Sequence, residues 1–354
     1  MKDESLDYIL KILKEEKVEN DPDFNEVIGF LINHRIAGLF YSKIKKLQIK
    51  VPKKVEKILQ ENFKSQKRRV VYLRNTIKEI SDYFLENKIE HVLLKGSILS
   101  NDPQNEIYLD GERSSNDIDI LVKQSGISKV CEALTNLGYV QGEYNENTKQ
   151  IKLYDRYELI YRRMNRGEIA SFIKKTGDDE IPYIEIDINF SLGNTPNDEL
   201  KLLNDMIDTR IIQRGKVELS SLNSEMFFLH LIMHQYKEST LYFMVERNKD
   251  LDLYKLLDIY YLIKKNKVDL SKIKELANYY NISKKVGTVI NQVGEILNDE
   301  EIKIIASSFT YEIPKVIDYQ NKKVYEWTVS LKDRIKEFST IKYLKEDISN
   351  ANES

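Results

Sequence analysis

Asp117 and Asp119 stand two residues apart in the β-branched run Asn116-Asp117-Ile118-Asp119-Ile120-Leu121, although Asp is a residue that strands ordinarily avoid. Residues i and i+2 of a strand share a face and lie roughly 7 Å apart along it. Two carboxylates so placed can turn their oxygens onto one hard divalent cation. Mg²⁺ takes oxygen ligands and is commonly held by one or two carboxylates together with substrate phosphates. A second acidic strand reads at Ile184-Glu185-Ile186-Asp187-Ile188-Asn189, with Glu185, Asp187 and Asn189 on one face and the isoleucines on the other. A third acid beside the aspartate pair would let two metals sit about 3.5–4 Å apart and stabilise attacking and leaving oxygens together. Upstream, the apolar run His91-Val92-Leu93-Leu94 ends in Lys95-Gly96-Ser97, a buried strand entering a glycine turn and a helix start. Glycine permits close backbone approach, and amides opening a helix favour phosphate oxygens, with the Ser97 hydroxyl as a further donor. Each sign alone is weak, since an Asp-x-Asp in an apolar run more often marks a solvated strand face. In this order, a phosphate clamp, an aspartate pair and a third acid describe phosphoryl or nucleotidyl transfer.

These residues need a sheet to hold them, and the pattern along the chain supplies one between two helical stretches. Residues 1–90 read as helices, with apolar repeats at Leu6, Ile9, Leu10 and Leu13 and again at Val27, Ile28, Phe30 and Leu31. Pro22 and Pro52 punctuate them. A Lys/Glu-rich helix follows from about 53 to 87, with Val71, Leu73, Ile77, Ile80 and Phe84 as its inner face. Then come the strand at 91–94, a polar loop over 101–116, the aspartate strand 117–122 and a helix 127–137 ended by Gly138. A strand at 153–162 and a polar turn near Asn165–Gly167 precede the second acidic strand. Helical periodicity returns at 224–238, 249–265, 271–280, 283–297 and 315–337. The expected fold is α+β: a small mixed sheet core over 91–200, between an N-terminal helical region (1–90) and a C-terminal helical domain (201–354).

The bulk numbers exclude several classes. Hydrophobic residues make up 41% of the 354 and charged residues 32%, as in a soluble globular protein. With 55 basic against 57 acidic residues the net charge is −2, so no global field gathers nucleic acid, and a polyanion partner is disfavoured unless held locally. No apolar run approaches the roughly 18 residues of a membrane span, and the amphipathic N-terminus lacks the apolar core of a signal peptide. A lone cysteine, Cys131, excludes an intramolecular disulfide and a cysteine zinc site. The expected compartment is the cytoplasm.

Leu94-Lys95-Gly96-Ser97 followed by Asn116-Asp117-Ile118-Asp119-Ile120-Leu121 resembles the signature of the polymerase-beta-type nucleotidyltransferase superfamily. More narrowly, it is similar to the bacterial branch called nucleotidyltransferase type 5, in which a loop with a tyrosine and an arginine precedes the acidic strand. Here Tyr108 and Arg113 stand in that loop. The flanks "INHRIAGLFYSKI" and "FFLHLIMH…LLDIYYLIKKNKVDLSKIKELA" extend the resemblance over about 25–295. The resemblance implies that Asp117 and Asp119 bind Mg²⁺, two ions in all, and that Gly96 and Ser97 hold the triphosphate of an NTP, ATP first among the candidates. Lys95 and Arg113 would neutralise phosphate charge. The third acid, which completes the metal site and helps deprotonate the acceptor, is expected to be Glu185. Asp187 is its rival, because the same strand face presents both, and the family often has histidine at the corresponding second position. The implied reaction moves NMP onto a hydroxyl or phosphate of a small molecule, a natural-product peptide or a protein, releasing pyrophosphate. The alternative is a catalytically silent nucleotide-binding or antitoxin-like module of the same fold. No linear signature reads the base or the oligomeric state.

Other features carry less. His230 and His234 in "HLIMH" have the one-turn spacing of a zinc pair but lack the glutamate of His-Glu-x-x-His, so packing is the better reading. By the resemblance, His234 would face the acceptor pocket. The tyrosines of the helical tail are expected to pack, and the basic run Lys67-Arg68-Arg69 to be solvated. Asp258 is given no chemical role.

Overall fold

The computed structural model describes residues 1–166, 168–193, 195 and 197–347, apart from the side chains of Asn165 and Arg166. The chain forms two compact units, each assembled from separate stretches of sequence. One comprises Met1–Ser65, Gly111–Arg113 and Leu231–Ser354, the other Gln66–Asp110 and Ser114–His230.

The second unit carries a mixed sheet of six strands: β1 (Val92–Leu93), β2 (Asp117–Leu121), β3 (Val140–Asn145), β4 (Gln150–Leu153), β5 (Phe172–Lys175) and β6 (Tyr183–Asn189). Their order is β1-β2-β6-β5-β3-β4. β2 and β6 run parallel and the other neighbours antiparallel, so the fold is α+β as the pattern implied. Ile118, Ile120, Ile184, Ile186 and Ile188 are all at most 3% exposed. Each contributes about 1.5–3 kcal/mol by leaving water. A slip of one residue would turn these isoleucines out and the acids in, so the alternation pins the register. The helix Ile127–Asn136 buries Ile127, Val130, Ala133 and Leu134 and stops before Gly138, whose φ of +84° suits glycine. On the long helix Lys53–Glu86 the inward residue is Val70, while Val71 is 44% exposed; Leu73, Ile77, Ile80 and Phe84 are buried as expected.

The strand expected at 153–162 is a correction. β4 ends at Leu153 and a helix runs over Arg156–Arg166. The reason is a capping box: the Glu158 N–H donates to Asp155 Oδ1 (2.8 Å) and the Asp155 N–H to Glu158 Oε2 (3.2 Å). Tyr157, Ile160, Tyr161 and Met164 then recur with helical period. Gly167, in the expected turn, lies outside the described residues. After β6 come a helix (Leu200–Asp208) and a hairpin of β7 (Ile211–Arg214) and β8 (Glu218–Ser221), which the helical reading of that stretch omitted.

The first unit is mainly helical. The expected helices at 224–238, 249–265, 271–280 and 283–297 form over Ser224–Thr240, Leu253–Lys264, Leu270–Tyr279 and Ser283–Leu297. The helix expected at 315–337 does not form. In its place is an antiparallel sheet of β9 (Val316–Asp318), β10 (Lys323–Trp327) and β11 (Leu344–Glu346), with a short helix at Leu331–Ile335. Asp318 Oδ1 accepts from the N–H groups of Gln320 and Asn321, closing an Asx-type turn that starts a hairpin. Among the described residues no helix is long and apolar enough to cross a membrane.

Candidate active site

The parallel pairing of β2 with β6 sets Asp117 beside Glu185 and Asp119 beside Asp187. Residues paired in register share a face, so two rows of two acids line one side of the sheet. Asp119 is 4% exposed, and Asp117, Glu185 and Asp187 are half-buried. The crowding is visible in Asp187. Burial, and then the charges of Asp117, Asp119 and Glu185, push its carboxyl well above the usual range, against a hydrogen bond from Ser171 Oγ (2.7 Å).

Lys95 reaches this face from the next strand. The Leu94 N–H donates to the Asp119 carbonyl (3.0 Å), extending the β1–β2 ladder by one residue, and Lys95 Nζ lies 2.6 Å from Asp119 Oδ1. The Lys95 backbone stands at φ +48°, ψ −122°, where a Cβ is crowded. Such a conformation costs about 1–3 kcal/mol and persists only where the surroundings hold it. Here the N–H groups of Ile98 and Leu99 both donate to the Lys95 carbonyl, at 3.0 Å each. Gly96–Leu99 forms one helical turn in which the Ser97 N–H bonds the Leu94 carbonyl (3.2 Å). Asn101 Nδ2 donates to the Ser97 carbonyl, and Arg74 ties Asn101 to Asp110, so the turn is buttressed from below. Burial, and secondarily the Lys95 charge, lower the His230 pKa to about 3, so this imidazole is neutral.

The donor set is all oxygen and carries excess negative charge, which suits a hard cation. As they stand, no three or more His, Cys, Asp or Glu side chains among the described residues converge closely enough to hold a metal. The ammonium of Lys95 sits on Asp119 instead.

A model of the uncharacterised nucleotidyltransferase family matches residues 20–298. The chain belongs to this nucleotidyltransferase family. Comparison with curated proteins finds no match, and comparison with solved structures finds none either.

Arg113, expected beside phosphate, belongs to the mainly helical unit and is buried in a two-pronged ion pair with Asp258. Its Nε lies 3.0 and 3.1 Å from the two carboxylate oxygens and its terminal nitrogen 2.8 Å from one of them. The guanidinium also lies 5.2 Å from the Tyr254 ring centre. Asp258, expected to have no chemical role, is thus what fixes Arg113. Tyr108 is buried. His234 belongs to the mainly helical unit, with Nε2 3.4 Å from Glu238, which also pairs with the buried Lys255. The basic run is ion-paired as well as solvated: Arg68 bonds Asp178 and Glu180, both at 2.6 Å. Three features of the acidic face escaped the sequence reading: the Ser171 bond to Asp187, the backbone of Lys95 and the nearness of His230 to Lys95. A serine, a lysine and a core histidine carry no linear signal for such roles.

Proposed function

We propose that this nucleotidyltransferase moves NMP from an NTP to a hydroxyl or phosphate acceptor, with Mg²⁺ and nucleotide held at the acidic face of β2 and β6. The observation that carries this reading is the register that sets Asp117 beside Glu185 and Asp119 beside Asp187. Asp117, Asp119 and Glu185 would hold the metal, which when bound supplies charge neutralisation for the triphosphate and its transition state. Gly96 lets the phosphates approach the backbone, Ser97 offers its hydroxyl, and Lys95 adds a positive charge at the same turn. The acceptor oxygen attacks the α-phosphorus, the bond from that phosphorus to the bridging oxygen breaks, and pyrophosphate leaves with the electron pair. Glu185 takes the acceptor proton. Asp187, which accepts a hydrogen bond from Ser171 Oγ at 2.7 Å, is the rival for this role. Arg113 is left out of the phosphate site, since Asp258 engages its guanidinium. The acceptor is a small molecule, a natural-product peptide or a protein.

Incubation with each α-labelled NTP, Mg²⁺ and an extract of candidate acceptors tests the proposal. Label transfer with stoichiometric pyrophosphate supports it. Nucleotide binding without pyrophosphate release would replace it with a silent binding module of the same fold.

A further inference from the structure

We infer that Lys95 is the resident counter-cation of Asp119, and that it gives up this carboxylate to the divalent ion when nucleotide arrives, moving its ammonium onto a phosphate oxygen. The metal site is then completed together with the nucleotide and does not stand ready beforehand. This inference rests on the nucleotidyl-transfer reading of the acidic face.

Asp119 is 4% exposed, and a carboxylate so far from water needs a partner. It has one in Lys95 Nζ at 2.6 Å. A cation bound by Asp119 through the same oxygen must displace that ammonium. The lysine stem allows the exchange, because four methylenes let the head group swing while the backbone stays fixed. The backbone is indeed fixed: the Leu94 N–H bond to Asp119 and the two N–H bonds onto the Lys95 carbonyl hold it at φ +48°, ψ −122°. Glycine would meet no strain there, yet the chain keeps a lysine aimed at β2. Strain of this kind is characteristic of functional sites. The adjoining Gly96-Ser97 turn, where the phosphates are proposed to lie, puts the second resting place of the ammonium within the sweep of the same side chain. The lack of a converged three-ligand group among the described residues fits a face whose Asp119 is already engaged.

The test titrates Mn²⁺ into the full-length protein, followed by the paramagnetic resonance of free Mn²⁺, with and without the α,β-methylene analogues of the four NTPs. The expected wild-type result is weak binding of bare Mn²⁺ that tightens strongly with the analogue it prefers. Lys95→Met and Lys95→Gly should bind bare Mn²⁺ about ten- to a hundredfold more tightly than wild type. The same variants should bind the analogue about tenfold or more weakly, having lost a charged hydrogen bond to phosphate. Lys95→Arg keeps a cation and should resemble wild type on bare Mn²⁺. Lys95→Gly suits the backbone, so the test survives if Lys95→Met misfolds. Bare Mn²⁺ affinity unchanged or lowered in the Met and Gly variants, while wild type takes up Mn²⁺ with an analogue, would overturn the inference alone. A wild type that takes up no analogue with Mn²⁺ would overturn the nucleotidyl-transfer reading and the inference with it.

Discussion

Asp258 and Asp187 are both carboxylates drawn away from water, one in each compact unit, and their surroundings differ in sign. Asp258, 1% exposed, receives the fork of Arg113, which itself lies over Tyr254. Asp250 of the same unit is treated alike: Arg334 bonds it at 2.6 Å and lies 3.4 Å from the Trp327 ring centre. Each of these two buried carboxylates has an opposite charge in contact. Asp187 faces Asp117, Asp119 and Glu185, and burial first, then these charges, raise its carboxyl. A matched buried pair is architecture, and breaking it leaves an uncompensated charge. Crowded acids repel one another in the resting fold, even with Lys95 on Asp119, and such perturbed carboxyls mark a candidate functional site.

Removing charge should therefore have opposite effects in the two places. The largest effect is expected at Asp117→Asn, with NMP transfer falling by roughly 10²–10³-fold or more while the thermal midpoint holds or rises. Glu185→Gln should follow closely, and Asp187→Asn should lose less activity than Glu185→Gln; the reverse order would exchange the two as third acid. Next, Arg113→Ala leaves Asp258 buried without its partner and should cost about 3–5 kcal/mol in urea unfolding. A loss under about 1 kcal/mol would remove the contrast between the two regions. The smallest effect is the most specific. Asp187 has a folded-state pKa above the unfolded value of 3.8, so its ionisation opposes folding. Below 3.8 it is protonated in both states and exacts no penalty. As the pH rises from there through its folded-state pKa the penalty grows, and above that it is complete. Melting in EDTA should show Asp187→Asn more stable than wild type near neutrality, by on the order of 1 kcal/mol, with the gap closing as pH falls toward 3.8. A gap that widened on acidification would contradict the crowding of these acids.

Much of the acidic face was legible in the sequence because strand geometry is local. The alternation over Ile184–Asn189 assigns faces without any tertiary information, and the isoleucines of β2 and β6 are buried as it implies. The pairing of the two strands, and with it the meeting of Asp117 with Glu185, is not local and had to be seen. Arg113 illustrates the same limit. Its partner Asp258 lies 145 residues away in the chain, so the buried pair it forms could not be read from the loop. Two misassigned elements did carry readable signals. Asp155 and Glu158 form a capping box in a stretch taken for a strand, and the turn at Asp318 interrupts a stretch taken for a helix. The backbone of Lys95 had no such signal, since nothing in a lysine announces a positive φ.

The most direct test of the acidic face as a nucleotide platform is calorimetric titration of the four α,β-methylene NTP analogues into wild type and Asp117→Asn, each in Mg²⁺ and in EDTA. The expected result is that wild type binds an analogue in Mg²⁺, binds it far more weakly in EDTA, and loses that dependence in Asp117→Asn. Equal wild-type affinity in Mg²⁺ and EDTA, or an Asp117→Asn variant that binds as wild type does, would contradict the assignment of these acids to the metal and its nucleotide.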